Sequence, residues 1–278
     1  MANAREKSVI RATGENEEIY YLEAIHFKAD ERFRRIRFMM QVIQANCRVQ
    51  FTADDIDFIL SVLGRKAGDS DTLTRLLADE ETRDLILDDE AILRAVLEQR
   101  SCLRISTHFY FYVLVRHTFR RSGLQERPLA DYVASVLSEF SATERTRCVV
   151  KGQPQPLDYF FEMLAALQTV DDTTGFFIRA HIGNHSLFLS GVFPDRIRFR
   201  AERKGAPGLS YYEGLGSANF RVAGDHRLAR KYDLSTIFNT LSERFQETRL
   251  ALNDLRERLV SLGEPDYSPL LITPDGVN

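Results

Sequence analysis

Apolar residues recur at intervals of three and four through most of the chain, the period of an α-helix with one buried face. Leu22, Ile25, Phe33, Ile36, Met40 and Ile43 predict two helices between Ile19 and about Gln44, divided near Lys28–Asp30. Thr52 and Asp55 mark a helix start, because a hydroxyl can accept from an orphan N–H and acids suit the positive end of the dipole. Ile56, Ile59, Leu60 and Leu63 give that helix its apolar face, and Gly64 suits its end. Two or three short helices are expected over residues 70–101. Phe109–Phe119 is apolar on nearly every side, which permits a strand but, with Gly123 as a stop, favours a buried central helix. Pro128 opens a further helix to about Phe140.

Lys151-Gly-Gln-Pro-Gln-Pro156 is the clearest linker, since each proline removes a donor and turns its predecessor away from helix. The expected organisation is a helical subdomain over 1–150, with 1–18 frayed, a second over 151–262, and a tail over 263–278. Helices are predicted over Leu157–Val170, Thr173–Phe193 and Tyr211–Lys231. Between them, Arg196-Ile-Arg-Phe-Arg-Ala201 alternates as a strand does. One short hairpin or edge strand is therefore allowed near 196–210.

The most regular pattern closes the chain. Leu234, Phe238, Leu241, Phe245, Thr248, Leu252, Leu255, Leu259 and Leu262 form an a/d heptad seam, predicting one long helix of about 40 Å. Such a seam wants a facing helix, from this chain or from a second copy. Ile237, Leu250 and Ala251 widen the apolar face and favour burial within the chain. The fold class expected is all-α, a multi-helix, bundle-like globule.

Composition adds limits. Hydrophobic residues make up 44% and charged residues 28% of 278, so a core can form without disulfide or metal. A net charge of −3 argues against a generally basic nucleic-acid binder. Cys47, Cys102 and Cys148 are scattered and form no C-x-x-C pair, as expected in a reducing compartment. The N-terminus has no apolar core of signal-peptide length. The longest central stretch without charge, Ala180–Phe193, is shorter than the ~20 residues of a membrane span. A cytoplasmic protein with no membrane contact is expected.

Candidate chemistry centres on histidine. His181-Ile-Gly-Asn-His185 places two imidazoles one helical turn apart, where they can share a metal if a third ligand converges from His117, His226 or Asp225. Glu23-Ala-Ile-His26 matches half of a di-iron bundle motif and finds no second half. Gly183–Gly191 mixes glycines with Asn184, His185, Ser186 and Ser190, the composition of a small-molecule pocket or of close helix contact. His181, Asn184, His185, His117 and His226 are the ligand-binding candidates, and His181, His185 and His226 the metal candidates.

Arginines cluster at Arg32–Arg37, at Arg116, Arg120 and Arg121, and at Arg196, Arg198, Arg200, Arg203 and Lys204. The last group could hold phosphates, although binding of nucleic acid is not the expected role. The acidic groups Asp54–Asp55, Asp79–Glu81 and Asp88–Glu90 sit at predicted helix starts, where the dipole accounts for them. No phosphate loop, dinucleotide fingerprint or nucleophile elbow occurs. The leading expectation is a non-enzymatic helical protein acting through protein–protein contacts, with a protein partner or itself as a homodimer and no cofactor. A helical small-molecule, metal or haem binder is the alternative, and weak nucleic-acid binding through the 196–204 arginines the third.

Overall fold

The computed structural model describes residues 42–67, 75–98, 105–141, 148, 157 and 159–261. Among them the chain is all α-helical, without a strand. A 3-10 turn at Cys47–Gln50 precedes α1 (Ala53–Ala67), α2 (Glu80–Leu87), α3 (Glu90–Glu98), α4 (Thr107–Arg121) and α5 (Arg127–Ser141). Then come α6 (Phe160–Ala166), α7 (Asp172–Val192), α8 (Pro194–Lys204), α9 (Leu209–Asp225), α10 (Arg227–Lys231), α11 (Ser235–Glu243) and α12 (Phe245–Ser261). No helix among the described residues is long and apolar enough to cross a membrane.

α4 is the buried helix that its all-round apolar pattern implies. Phe109, Tyr112, Val113, Val115 and Phe119 are fully enclosed. Its start is fixed by Ser106, whose hydroxyl accepts from the N–H of Phe109 at 3.0 Å, while Asp55 accepts from both the N–H and the hydroxyl of Ser106. Its end is fixed by Gly123 at φ +79°, which lets the Leu124 N–H reach back to the Phe119 carbonyl at 2.8 Å.

α7 is the second buried axis, with α9 and α12 against it. The approach is close because glycines stand at the crossings. A Cβ on Gly183 would fall 2.8 Å from the Phe220 ring, and one on Gly191 would fall 2.8 Å from Leu252. Asn253 of α12 donates to the carbonyls of Ser190 and Gly191 at 3.0 and 2.6 Å, pairing groups that the end of α7 leaves without helical partners.

One apolar core takes in residues from both sides of the expected subdomain boundary, from Phe109 and Tyr132 to Phe238 and Leu252. Lys151–Pro156 itself lies outside the described residues, as do Glu23, His26, Cys102, Arg32–Arg37 and the tail. A smaller cluster joins Cys148, Met163, Ala166, Ile178 and Ile182.

Ionic side chains bind the N-terminal helices together. Arg48 donates to both oxygens of Asp84 at 2.6 and 2.7 Å, and its Nε reaches Asp131 at 3.3 Å. Arg116 grips Asp88 through two bonds of 2.8 and 3.0 Å, and Arg127 adds a third at 2.9 Å. Burial alone would raise the Asp88 carboxyl, but Arg116 and Arg127 hold it below its usual range. The Arg116–Arg120–Arg121 group therefore serves internal ion pairs.

Two expectations are corrected. Residues 196–204 form no strand or hairpin: they lie in α8, with Pro194 at its first turn and Gly205 closing it at φ +62°. Alternation looked like a strand because Ile197, the buried anchor, has arginines on either side. The heptad helix is not continuous either. It breaks at Arg244 (φ −113°, ψ 29°), so Phe238 and Leu241 belong to α11, and Phe245, Thr248, Leu252 and Leu255 to α12. The seam is buried within the chain on both sides of the break. Thr248, its polar member, donates from its hydroxyl to the Arg244 carbonyl at 2.9 Å.

Candidate functional site: the histidine pair and the cationic face of α8

α7 does place His181 and His185 side by side. Their ring centroids lie 5.7 Å apart, and Phe140 and Phe160 pack on His185 at 6.0 and 5.2 Å. Nδ1 of His185 is buried with no hydrogen-bond partner. Burial, assisted by the charge of His181, pushes the His185 imidazole down to about 3, so it is neutral at physiological pH.

The other histidines do not join them. The buried His117 ring has its Nε2 3.1 Å from the Leu87 carbonyl and its Nδ1 3.7 Å from Glu90. His226 stacks on Phe176 at 5.0 Å, bonds Asp172 through Nε2 at 2.8 Å, and accepts the Leu228 N–H at Nδ1. Asp172 opens α7, about 14 Å along the helix from His181. Among the described residues no group of three His, Cys, Asp or Glu is arranged to hold a metal. The convergence of His181, His185, His117 and His226 is thus not formed. Asn184 is taken up by the Tyr132 hydroxyl, which donates to its Oδ1 at 2.8 Å. Phe220 and Leu252 occupy the space beside Gly183 and Gly191, so of the two readings of that segment, a ligand pocket or close helix contact, the glycines serve helix contact.

The thiols are also committed to the interior. Cys47 lies against the His108 carbonyl at 3.2 Å, and burial pushes its pKa up. Burial raises Cys148 to about 12. Both remain protonated thiols at neutral pH and are poor nucleophiles. A polar cavity of about 150 Å³ borders His108, Ser135 and Glu139, small beside the roughly 300 Å³ at which ordinary ligand pockets begin.

α8 gives the arginine group a geometry that a strand reading could not. Successive residues turn by 100° in a helix, so Arg196, Phe199, Arg200 and Arg203 share one face while Arg198 turns away. Arg198 pairs with Asp195 at 3.0 Å, and Arg256 reaches the other oxygen of the same carboxylate. Phe199 is 57% exposed, and Arg200, Arg203 and Lys204 are exposed beside it. The predicted trio Arg196, Arg198 and Arg200 is therefore split between two faces.

The cationic face meets the histidine pair through aromatic rings. Tyr212 of α9 lies 5.8 Å from Phe160 and 5.6 Å from Tyr211, which is itself exposed. Burial raises the Tyr212 hydroxyl, and the nearby guanidinium groups of Arg200 and Arg196 oppose that rise. Tyr159 and Phe161 flank Phe160 in sequence, stack at 5.5 Å and are both exposed. Sequence reasoning missed all of these rings except Phe199. The signals were present: a Tyr-Tyr pair just after a Gly-Ala-Pro-Gly turn, and aromatics clustered at the start of α6.

Most arginines elsewhere have acidic partners, including Arg48, Arg116, Arg121, Arg127, Arg244, Arg249 and Arg258. No ion pair engages Arg200, Arg203 or Lys204 among the described residues. Comparison of the chain with family models, curated proteins and solved structures found no match.

Proposed function

We propose that this is a non-enzymatic helical interaction protein and that it meets its protein partner through the outer face of α8 with the adjoining rings of α9. The observation that carries the reading is the exposed Phe199 set among Arg200, Arg203 and Lys204, whose charges no acid of the described chain neutralises. Arginine and aromatic side chains are the types that dominate protein interfaces, since they combine large contact area with directional donors. An exposed heptad seam is not the contact, because that seam is consumed by the core. A cytoplasmic setting fits the two buried free thiols, Cys47 and Cys148.

The test compares proteins captured from the cells that make it by the wild-type chain and by an R200E/R203E variant. The reading expects at least one protein held by the wild type and lost from the variant, with unchanged circular dichroism. Identical capture by both chains contradicts it.

A second reading rests on one separate observation, the buried and unpartnered Nδ1 of His185. Such a nitrogen costs about 1–3 kcal/mol unless satisfied, and a small ligand or metal seated between α5, α6 and α7 would satisfy it. Elemental analysis and an absorption spectrum of protein purified from its host test this reading. Metal-free, colourless protein removes the metal and haem forms.

A further inference from the structure

The cationic face of α8 has a counterpart on the same molecule. At the start of α2 stand three successive acids, Asp79, Glu80 and Glu81. Leu76 just before them is 43% exposed, and Leu85, one turn after Glu81, is 67% exposed. Large aliphatic side chains so open to solvent, bordered by acids, form an acidic–apolar surface. α8 presents the opposite combination. Its eleven residues include five basic and two acidic ones, with Phe199 exposed among them. α2 is held by the 3-10 turn through Arg48 and Asp84, whereas α8 lies against α7 and α9. Among the described residues no ion pair links the two surfaces within one chain.

From this complementarity we infer that a second copy of this chain is the occupant: the α8 face of one copy docks on the acidic–leucine face at the start of α2 of another. This rests on the interaction reading above and deepens it by naming the partner. The α8 face carries Arg200, Arg203 and Lys204 with no acidic partner among the described residues, while the α2 face carries Asp79, Glu80 and Glu81 beside Arg75 and Arg83, an acidic excess in which Glu80 meets Arg48 only at 4.0 Å. Bringing the two together neutralises both and covers Phe199 with Leu76 and Leu85. The contact joins two different patches, so it adds copies head to tail or closes into a ring or dimer, as its geometry dictates. Because the opposed charges are solvent-exposed, attraction acts within a Debye length of about 8 Å at physiological salt, and association weakens as salt rises. A single-stranded nucleic acid would also meet rings and cations on α8, but it would leave the acidic–leucine face without an occupant.

The experiment is light scattering on the full chain over a range of concentrations, at low and high salt. Wild type is expected to exceed the monomer mass with rising concentration at low salt and to return toward it at high salt. R200E/R203E alone and E80K/E81K alone should each lose association by at least about tenfold, since like charges now face each other. An equimolar mixture of the two variants is expected to associate, because each supplies the face that the other lacks. That rescue also shows that both variants are folded.

A wild type that stays monomeric at low salt overturns the inference, as does association that the reversals leave unchanged or a mixture that fails to associate. A monomeric wild type that retards single-stranded RNA through Arg200 and Arg203 also overturns it and assigns the face to nucleic acid. A monomer that still captures a different protein in an α8-dependent way removes the second copy as partner and leaves the interaction reading standing.

Discussion

The hydroxyl of Tyr132 donates to Oδ1 of Asn184 across 2.8 Å, joining α5 to α7 inside the core. Tyr132 is fully buried, and its ring also meets Phe238 of α11 edge-on at 5.5 Å. One side chain thus ties together segments far apart in sequence. Burial, only partly offset by the bond to Asn184, raises the hydroxyl's pKa, so it stays a donor. A Tyr132→Phe change keeps the ring contacts and orphans the Asn184 oxygen. It should cost about 1–3 kcal/mol in denaturant unfolding, without altering helix content.

Glycines of one helix divide by what surrounds them. In α9, Gly214 faces open space, whereas a Cβ on Gly216 would run into the Phe245 ring. Gly214→Ala should stabilise the protein by up to about 1 kcal/mol through helix propensity. Gly216→Ala should destabilise it by about 1–3 kcal/mol through overpacking. Thermal melts of the two variants check the contrast. Equal effects would show that the α9–α12 contact is looser than described.

The Asp88 junction makes a larger demand. Arg116 is buried there, and its two bonds to Asp88 are joined by one to the Gln125 carbonyl. Arg116→Met leaves Asp88 with Arg127 and, at 3.8 Å, Arg120, and removes the two bonds from Arg116 together with its bond to the Gln125 carbonyl. The expected loss is about 3 kcal/mol, the usual order when one partner of a buried pair is deleted. Urea denaturation is the check.

His185 makes stability depend on acidity in a definite direction. Its folded pKa of about 3 lies below the unfolded value of about 6.5. As pH falls below that unfolded value, the unfolded chain takes up the proton first. Stability is therefore full above about pH 6.5 and declines toward 3. His117, whose pKa burial also lowers, adds to the same decline. Replacing His185 with Phe should flatten the slope by up to about 1.4 kcal/mol per pH unit between neutral pH and about 4.5. An unchanged slope would mean that the ring is solvated.

What could be read from the sequence was whatever is local. The all-round apolar run of α4, the glycine stop at Gly123 and the one-turn spacing of His181 and His185 depend on neighbours within a few residues. The helical nature of 196–204 was also locally written, in Pro194 at its first turn and Gly205 after its last. The Arg-Ile-Arg-Phe-Arg alternation concealed it, because over so few residues a single buried Ile197 between arginines has the same two-residue period as a strand. The fates of His117 and His226 were not legible: each is fixed by a partner thirty or more residues away, Leu87 and Asp172. The heptad pattern showed that α11 and α12 bury one side, but not the break at Arg244. That residue turns its side chain outward to Glu247 and Glu126, contacts that periodicity does not encode.

As proposed, this protein meets other protein through the outer face of α8. The most direct measurement of that contact places the photo-crosslinking residue p-benzoylphenylalanine at position 199 in living cells, with position 222, exposed on α9, as the control. Protein adducts are expected at 199, few at 222, and the 199 adducts should be lost when R200E/R203E is added. Adducts of equal yield at both positions, or none at 199, would contradict the proposed contact.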